Sequence, residues 1–224
     1  MICGWNINAF FYDVANSRLS HDIDKIIFNF LKKNNKTKNT SVLDLCAGTG
    51  SVSFKSLILG AKHVVAVDDS KYMITRMKHK KQLDFFNGRF KIIKLNVLKK
   101  DLSKYFNEKF DIIYLKRALY FSDNENKDIL KQCYKLLNKN GLIIIVNPEK
   151  NLIRYVKGRK ILFALPHFLR RLWAWIGLLT RTIKYNVYTY EKFDVLCEEA
   201  CPRGKLITLN APLPAYYIRI IKKE

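Results

Sequence analysis

From Ser41 onward the chain alternates short, β-branched apolar bursts with stretches of helical length, and few folds accept that alternation. The bursts SVLDLC, HVVAVD, RFKIIKLN, FDIIYL and GLIIIVN are each bounded by charge or glycine. Near-continuous apolar runs of this length are what strands buried on both faces require. Between them lie amphipathic segments at 50–60, 70–84, 100–107 and 123–138, with Asp123 a candidate N-cap for the last and Gly141 just past its end. Strands alternating with helices predict a mostly parallel sheet covered on both faces. Past residue 190 come a helix (YEKFDVLCEEA), a strand (GKLITLN) and a last strand (AYYIRIIKK). Only APLP separates those two strands, which predicts an antiparallel hairpin at the end of a seven-stranded, Rossmann-like α/β sheet. Residues 5–35 carry one or two helices ahead of the sheet, and no internal repeat or Gly/Ser-rich linker interrupts the chain.

The chemistry concentrates at the first strand–helix junction, VLDLCAGTG (42–50). A glycine turn there lets backbone approach a ligand closely, and the helix that follows offers unpaired N–H groups. Asp44 sits inside the strand end, and about twenty residues on the second strand ends in VVAVDD. Asp68 thus stands where a carboxylate accepts both hydroxyls of a ribose. The spacing is not G-x-G-x-x-G, which argues against a dinucleotide. Gly48 and Gly50 could merely turn the chain and Met73 is a core residue in any fold, but two acids at buried strand ends need partners.

These residues resemble the class I S-adenosylmethionine-dependent methyltransferases. VLDLCAGTG is similar to their first motif, VVAVDDSKYM to the acidic motif, FDIIYLKRALYF to the fourth-strand motif, and LLNKNGLIIIVNPE to the entry into the fifth strand. The resemblance implies S-adenosylmethionine as cofactor. By position it assigns Asp44, Ala47, Gly48 and Gly50 to the methionine part and Asp68 to the ribose. Asp69 and Met73 would flank the adenine, with Asn96 and Val97 near its amino group, where the family often has an acid. Lys116 would face the methyl end, and Cys46 replaces the commonest first glycine. AFFYDVANSRLSHDIDKIIFNFL is similar to the Tyr-Asp-x-x-Asn-x-x-x-Ser segment of ubiquinone and menaquinone C-methyltransferases and related lipid and small-molecule enzymes, through Tyr12, Asp13, Asn16 and Ser20. A plain N-terminal helix accounts for any one of these residues equally well. Tyr12 and Tyr120 are candidate general bases by position alone. The fourth strand is not followed by the Asn/Asp-Pro-Pro-aromatic tetrad of exocyclic-amine methylation, and no nucleophilic cysteine precedes its end.

Charge bears on the acceptor. The chain of 224 residues carries +22, and from Lys150 to Tyr190 nine Lys and Arg occur without one acid. That field favours an anionic partner, although a lysine-rich composition explains the scattered charges equally well. Within this stretch LPHFLRRLWAWIGLLTR, taken as a helix, gathers Phe168, Leu169, Leu172, Trp173, Ile176 and Leu179 on one face. Arg170 and Arg181 lie opposite, and Arg171 and Trp175 border the apolar face, the pattern of a helix lying in a membrane interface. We expect a substrate lid that also touches an anionic membrane surface, with a lipidic or quinone-type small molecule as acceptor; a purely internal lid is the alternative. RNA binding and a catalytically silent, cofactor-binding subunit remain as rivals, the first discounted because the apolar face is continuous and aliphatic. Five cysteines without framework spacing imply a reducing, cytoplasmic compartment, although Cys197 and Cys201 could share one side of a helix. Four scattered histidines suggest no metal site. Neither a signal peptide nor an apolar run of about 18 residues is evident. The expected organisation is an N-terminal cap (1–40), a cofactor-binding half (41–148), a basic lid (149–189) and a closing helix and hairpin (190–224).

Overall fold

A computed structural model describes residues 21–80, 86, 88–148, 188–211 and 216–224. Tyr12 and the lid residues Phe168, Arg170, Arg171, Leu172, Trp173, Trp175, Ile176 and Leu179 lie outside the described residues, as does the lid itself except for Tyr188 and Thr189.

Helix α1 occupies 21–33. Then follow β1 (Ser41–Leu45), α2 (Ser51–Ile58), β2 (His63–Asp68), α3 (Lys71–Lys78), β3 (Phe90–Lys94), α4 (Leu102–Tyr105), β4 (Phe110–Lys116), α5 (Asp123–Leu136) and β5 (Leu137–Pro148). The chain closes with α6 (Tyr190–Ala200), β6 (Gly204–Leu209) and β7 (Tyr216–Lys223). One sheet holds all seven strands in the order β3-β2-β1-β4-β5-β7-β6. The first five pair in parallel, and β7 inserts antiparallel between β5 and β6. The expected sheet and hairpin are both present. The helices are shorter than the periodicity suggested, and α4 is a single turn.

Alternation along each strand divides the core in two. On one face Leu43, Leu45, Ile113, Leu115, Ile143 and Ile145 pack against Leu102, Ile129, Leu130, Cys133 and Phe193 from α4, α5 and α6. On the other, Val42, Val64, Ala66, Ile112, Tyr114 and Ile144 meet Ile23, Ile27 and Leu31 of α1, with Phe54 of α2 and Met77 of α3. Helix α1 forms because its apolar residues recur every fourth position, while His21, Asp22, Lys25 and Asn29 face out. Cys133, Cys197 and Cys201 are buried free thiols in the first layer.

Two details differ from the sequence reading. Ser122, not Asp123, caps α5. Its hydroxyl accepts the Glu125 N–H, and the Glu125 carboxylate accepts the Ser122 N–H at 2.9 Å, a reciprocal capping box. Asp123 is thereby freed to bind Tyr188. Gly141 does not end α5 either, because the helix passes directly into β5 at Leu137. The Lys223 ammonium donates to the carbonyls of Tyr134 and Leu137 at 3.0 and 2.9 Å and so closes the helix from the last strand. Asn140 takes the left-handed conformation, at φ 60°. Gly141 is needed for close approach: a Cβ there would stand 2.9 Å from the Asn138 carbonyl oxygen and 3.2 Å from that of Phe110. Both obstacles are backbone, so Gly141→Ala should cost about 1–3 kcal/mol. The melting temperature should fall by roughly 2–4 °C per kcal/mol in a thermal melt.

Candidate active site

Parallel strands open their ligand crevice at the carboxyl edge, and three of the strands here deliver their charged residues to it. Asp44 is in register with Ala66 on β2 and Tyr114 on β4. Two residues further, on the same face, stand Asp68 and Lys116. The β1–α2 turn crosses this edge with Cys46, Gly48 and Gly50 alternately left-handed, at φ 56°, 58° and 76°. Cys46 therefore holds a conformation that glycine adopts without strain. Gly50 has a second reason to lack a side chain, since a Cβ would lie 2.9 Å from Met77 Cγ and 3.2 Å from the Phe54 ring. The Ala47 N–H donates to the Val67 carbonyl at 2.9 Å and ties the turn to β2. The N-cap of α2 is Gly50, which has no side chain to offer, and the Asp44 carboxylate accepts the Ser53 backbone N–H in the first turn.

Backbone N–H groups hold Asp68. One carboxylate oxygen accepts the Gly48 N–H at 2.7 Å and the other the Ser70 N–H at 2.8 Å. Burial raises its pKa, opposed by these N–H groups and that of Asp69. The carboxylate is thereby oriented, with acceptor capacity left for a ligand hydroxyl. Next to it, the exposed Asp69 accepts from the Asn96 amide at 2.9 Å, while the Asn96 carbonyl accepts the Leu98 N–H at 3.0 Å. Asn96 thus orients Asp69. Ser70 also caps α3 through Met73 N–H, and Met73 and Val97 are buried beneath the edge.

Asp44 is held by side chains. It is 2 % exposed, and the Ser53 hydroxyl donates to it at 2.5 Å. Burial pushes its carboxyl up to about 7, against the opposing pull of Ser53 and Lys116. Lys116 stands at the expected strand end, but its ammonium is committed to Asp24 of α1 at 2.5 Å. Tyr120 lies half-buried in the loop after β4, near Tyr217. Sequence reasoning did not single out Ser53, Ser70 or Asp24. The Ser70 signal was available as a helix N-cap just after the acid pair. Asp24 lies 92 residues from its partner and left no local trace.

The donor set suits a nucleoside joined to an amino acid: an oriented acid at the end of β2 for a hydroxyl, and a buried acid at the end of β1 for an ammonium. Among the described residues no group of three His, Cys, Asp or Glu side chains could hold a metal ion.

Comparison with known proteins agrees with that fit. A family model described as "Methyltransferase domain" matches residues 36–175. The ubiquinone biosynthesis O-methyltransferase of Pelagibacter ubique is 30% identical over 157 residues, covering 68% of this chain and 62% of that protein. The ribosomal protein L11 methyltransferase of Prochlorococcus marinus is 32% identical, covering 61% and 45%. The ribosomal RNA large subunit methyltransferase K/L of Colwellia psychrerythraea is 27% identical, covering 52% and 18%. The chain thus spans less than two thirds of the length of these relatives. Among solved structures, magnesium protoporphyrin IX methyltransferase from Synechocystis PCC 6803, with S-adenosylhomocysteine bound, superposes with a TM-score of 0.63 at 15% identity, over 90% of this chain and 82% of that one.

Two outcomes are expected. Asp68→Ala should weaken S-adenosylmethionine binding roughly a hundredfold or more, because charge-assisted bonds to the ribose and the anchoring of Gly48 go together. Unchanged affinity in calorimetry would remove the ribose assignment. Asp44 has a folded pKa above its unfolded one, so the folded state binds the extra proton between them. Without ligand, stability should fall as pH rises from about 4 through about 7. Thermal melts of Asp44→Asn should lose that part of the pH dependence.

Proposed function

As the chain belongs to the class I S-adenosylmethionine-dependent methyltransferases, we propose that it methylates a hydrophobic or amphiphilic small molecule at a membrane surface. The acceptor would be a quinone-type ring or a lipid headgroup. One observation supports the surface reading above others: where the basic, aromatic stretch joins the fold. Strand β5 delivers the chain at Pro148 to the same carboxyl edge that carries Asp44 and Asp68. The chain re-enters at Tyr188, whose hydroxyl donates to Asp123 at 2.8 Å and accepts from the Asn126 amide at 2.8 Å. Both partners belong to the first turns of α5, just beyond the loop that follows β4. That a basic, amphipathic sequence leaves and rejoins the fold here supports a role at the acceptor, and its lysines and arginines suit an anionic surface. Among the described residues no helix is long and apolar enough to cross a membrane.

S-adenosylmethionine supplies an electrophilic methyl group, so the chain's own work is alignment and exclusion of water. Asp68 would orient the ribose, and Asp69 and Met73 the adenine, with Asn96 and Val97 beside it. Ala47, Gly48, Gly50 and Asp44 would hold the amino-acid end. Tyr12 and Tyr120 are the candidate proton acceptors for an acceptor hydroxyl or ring carbon.

A second reading, RNA as acceptor, draws on the net charge and on the ribosomal RNA relative. Flotation with anionic vesicles, run beside a tritiated-methyl assay on total lipid and total RNA extracts, separates the two. The membrane reading expects flotation, label in the lipid fraction, and release by Trp173→Glu. Label in RNA, with a steep salt dependence and no vesicle binding, would replace it. Retained cofactor binding without label in either fraction would point to a silent subunit.

A further inference from the structure

Beneath the amino-acid end of the cofactor site lies a buried charge cluster drawn from three elements. Asp44 on β1, Lys116 on β4 and Asp24 on α1 all occupy the face covered by α1 and α2. The Lys116 ammonium meets the Asp24 carboxylate at 2.5 Å, with the two side chains only 10% and 7% exposed. Such a pair is costly to desolvate, and hydrophobic residues of similar size would often do as well for stability alone. Its placement gives it a further consequence.

We propose that Lys116, held in place by Asp24, is a positioning residue that sets the pH above which Asp44 accepts a cationic ammonium. This rests on the cofactor reading above and adds to it a role for Lys116 that acts through Asp44. Asp44 is faced by Ser53 from α2, Asp68 from β2, the Cys46 thiol from the turn, and Lys116 from β4. The Tyr114 phenol lies under both Asp44 and Asp24. Within this set Lys116 alone brings positive charge toward Asp44, and Asp68 opposes it. Burial disfavours the ammonium of Lys116, and Asp24 counters that most strongly. Removing Lys116 leaves Asp44 with burial and a like charge against its ionisation, so the proton leaves at higher pH.

The test is the affinity of the whole chain for S-adenosylhomocysteine from about pH 5.5 to pH 9, compared among variants so that the ligand's own titration cancels. In Lys116→Met the midpoint should rise. A rise of one unit from about 7 makes binding about fivefold weaker at pH 7 and nearly unchanged at pH 9. Lys116→Met/Asp24→Asn carries no orphaned buried charge and should fold if the single variant does not; its midpoint should also rise. Lys116→Arg, which keeps the charge, should stay at the wild-type midpoint. A folded Met variant with an unmoved midpoint overturns the proposal, as does an affinity loss equal at every pH, the mark of a merely structural role. Wild-type protein that fails to bind the ligand at any pH would instead overturn the cofactor reading on which the proposal stands.

Discussion

A carboxylate buried one residue from the end of a central parallel strand cannot be left unanswered. Neutralising it or compensating it is the only alternative to a desolvation cost of several kcal/mol. Asp44 is that carboxylate, and much of the edge can be understood as its answer. Ser53 stands on the first turn of α2, where the turn from β1 must point the helix for the hydroxyl to arrive. That turn requires three left-handed residues, which explains its glycines. Lys116 comes from the neighbouring strand because register places β4 alongside β1. Asp24 then compensates Lys116 and draws α1 against the sheet. The compensation reaches from Asp44 on β1 through Lys116 on β4 to Asp24 on α1.

The other acid of the site is secured differently. Asp68 binds backbone N–H groups, among them one in the glycine turn and one at the start of α3, and these do not depend on side-chain identity. Its orientation is fixed wherever the β1 and β2 crossovers take this course. Two regimes therefore meet within one site. Asp68 is held by backbone geometry, and Asp44 is balanced by a network of titratable side chains in a medium of low polarity.

The sheet was legible because buried parallel strands need continuous apolar runs, and SVLDLC, HVVAVD, FDIIYL and GLIIIVN hardly suit another role. Asp44 and Asp68 were legible for a related reason: a charge that ends such a run is anomalous unless something receives it. Helix limits were less so. The residues after Lys78 and Tyr105 keep an amphipathic pattern beyond the point where the helices stop. The cap of α5 was misplaced by one residue, though Ser122 and Glu125 carry the capping-box spacing. Gly141 resembled a helix terminator because the closing ligand, Lys223, is 86 residues away in the chain. Lys116–Asp24 and Tyr188–Asp123 were invisible for the same reason. Sequence pattern reports burial, whereas side-chain pairing across the fold reports topology, which emerges only after the strands have been ordered.

This division bears on the acceptor. Asp44, Asp68 and Lys116 lie on β1, β2 and β4, elements whose course follows from burial and register. The chain leaves the sheet at Pro148 and is described again from Tyr188, whose hydroxyl is fixed by Asp123 and Asn126. Asn147, just before the exit, donates to the Leu119 carbonyl at 2.8 Å and so couples the end of β5 to the loop that carries Tyr120. Asp123 couples the return point to the helix that this same loop begins. The loop between β4 and α5 is thus joined to both ends of the basic segment.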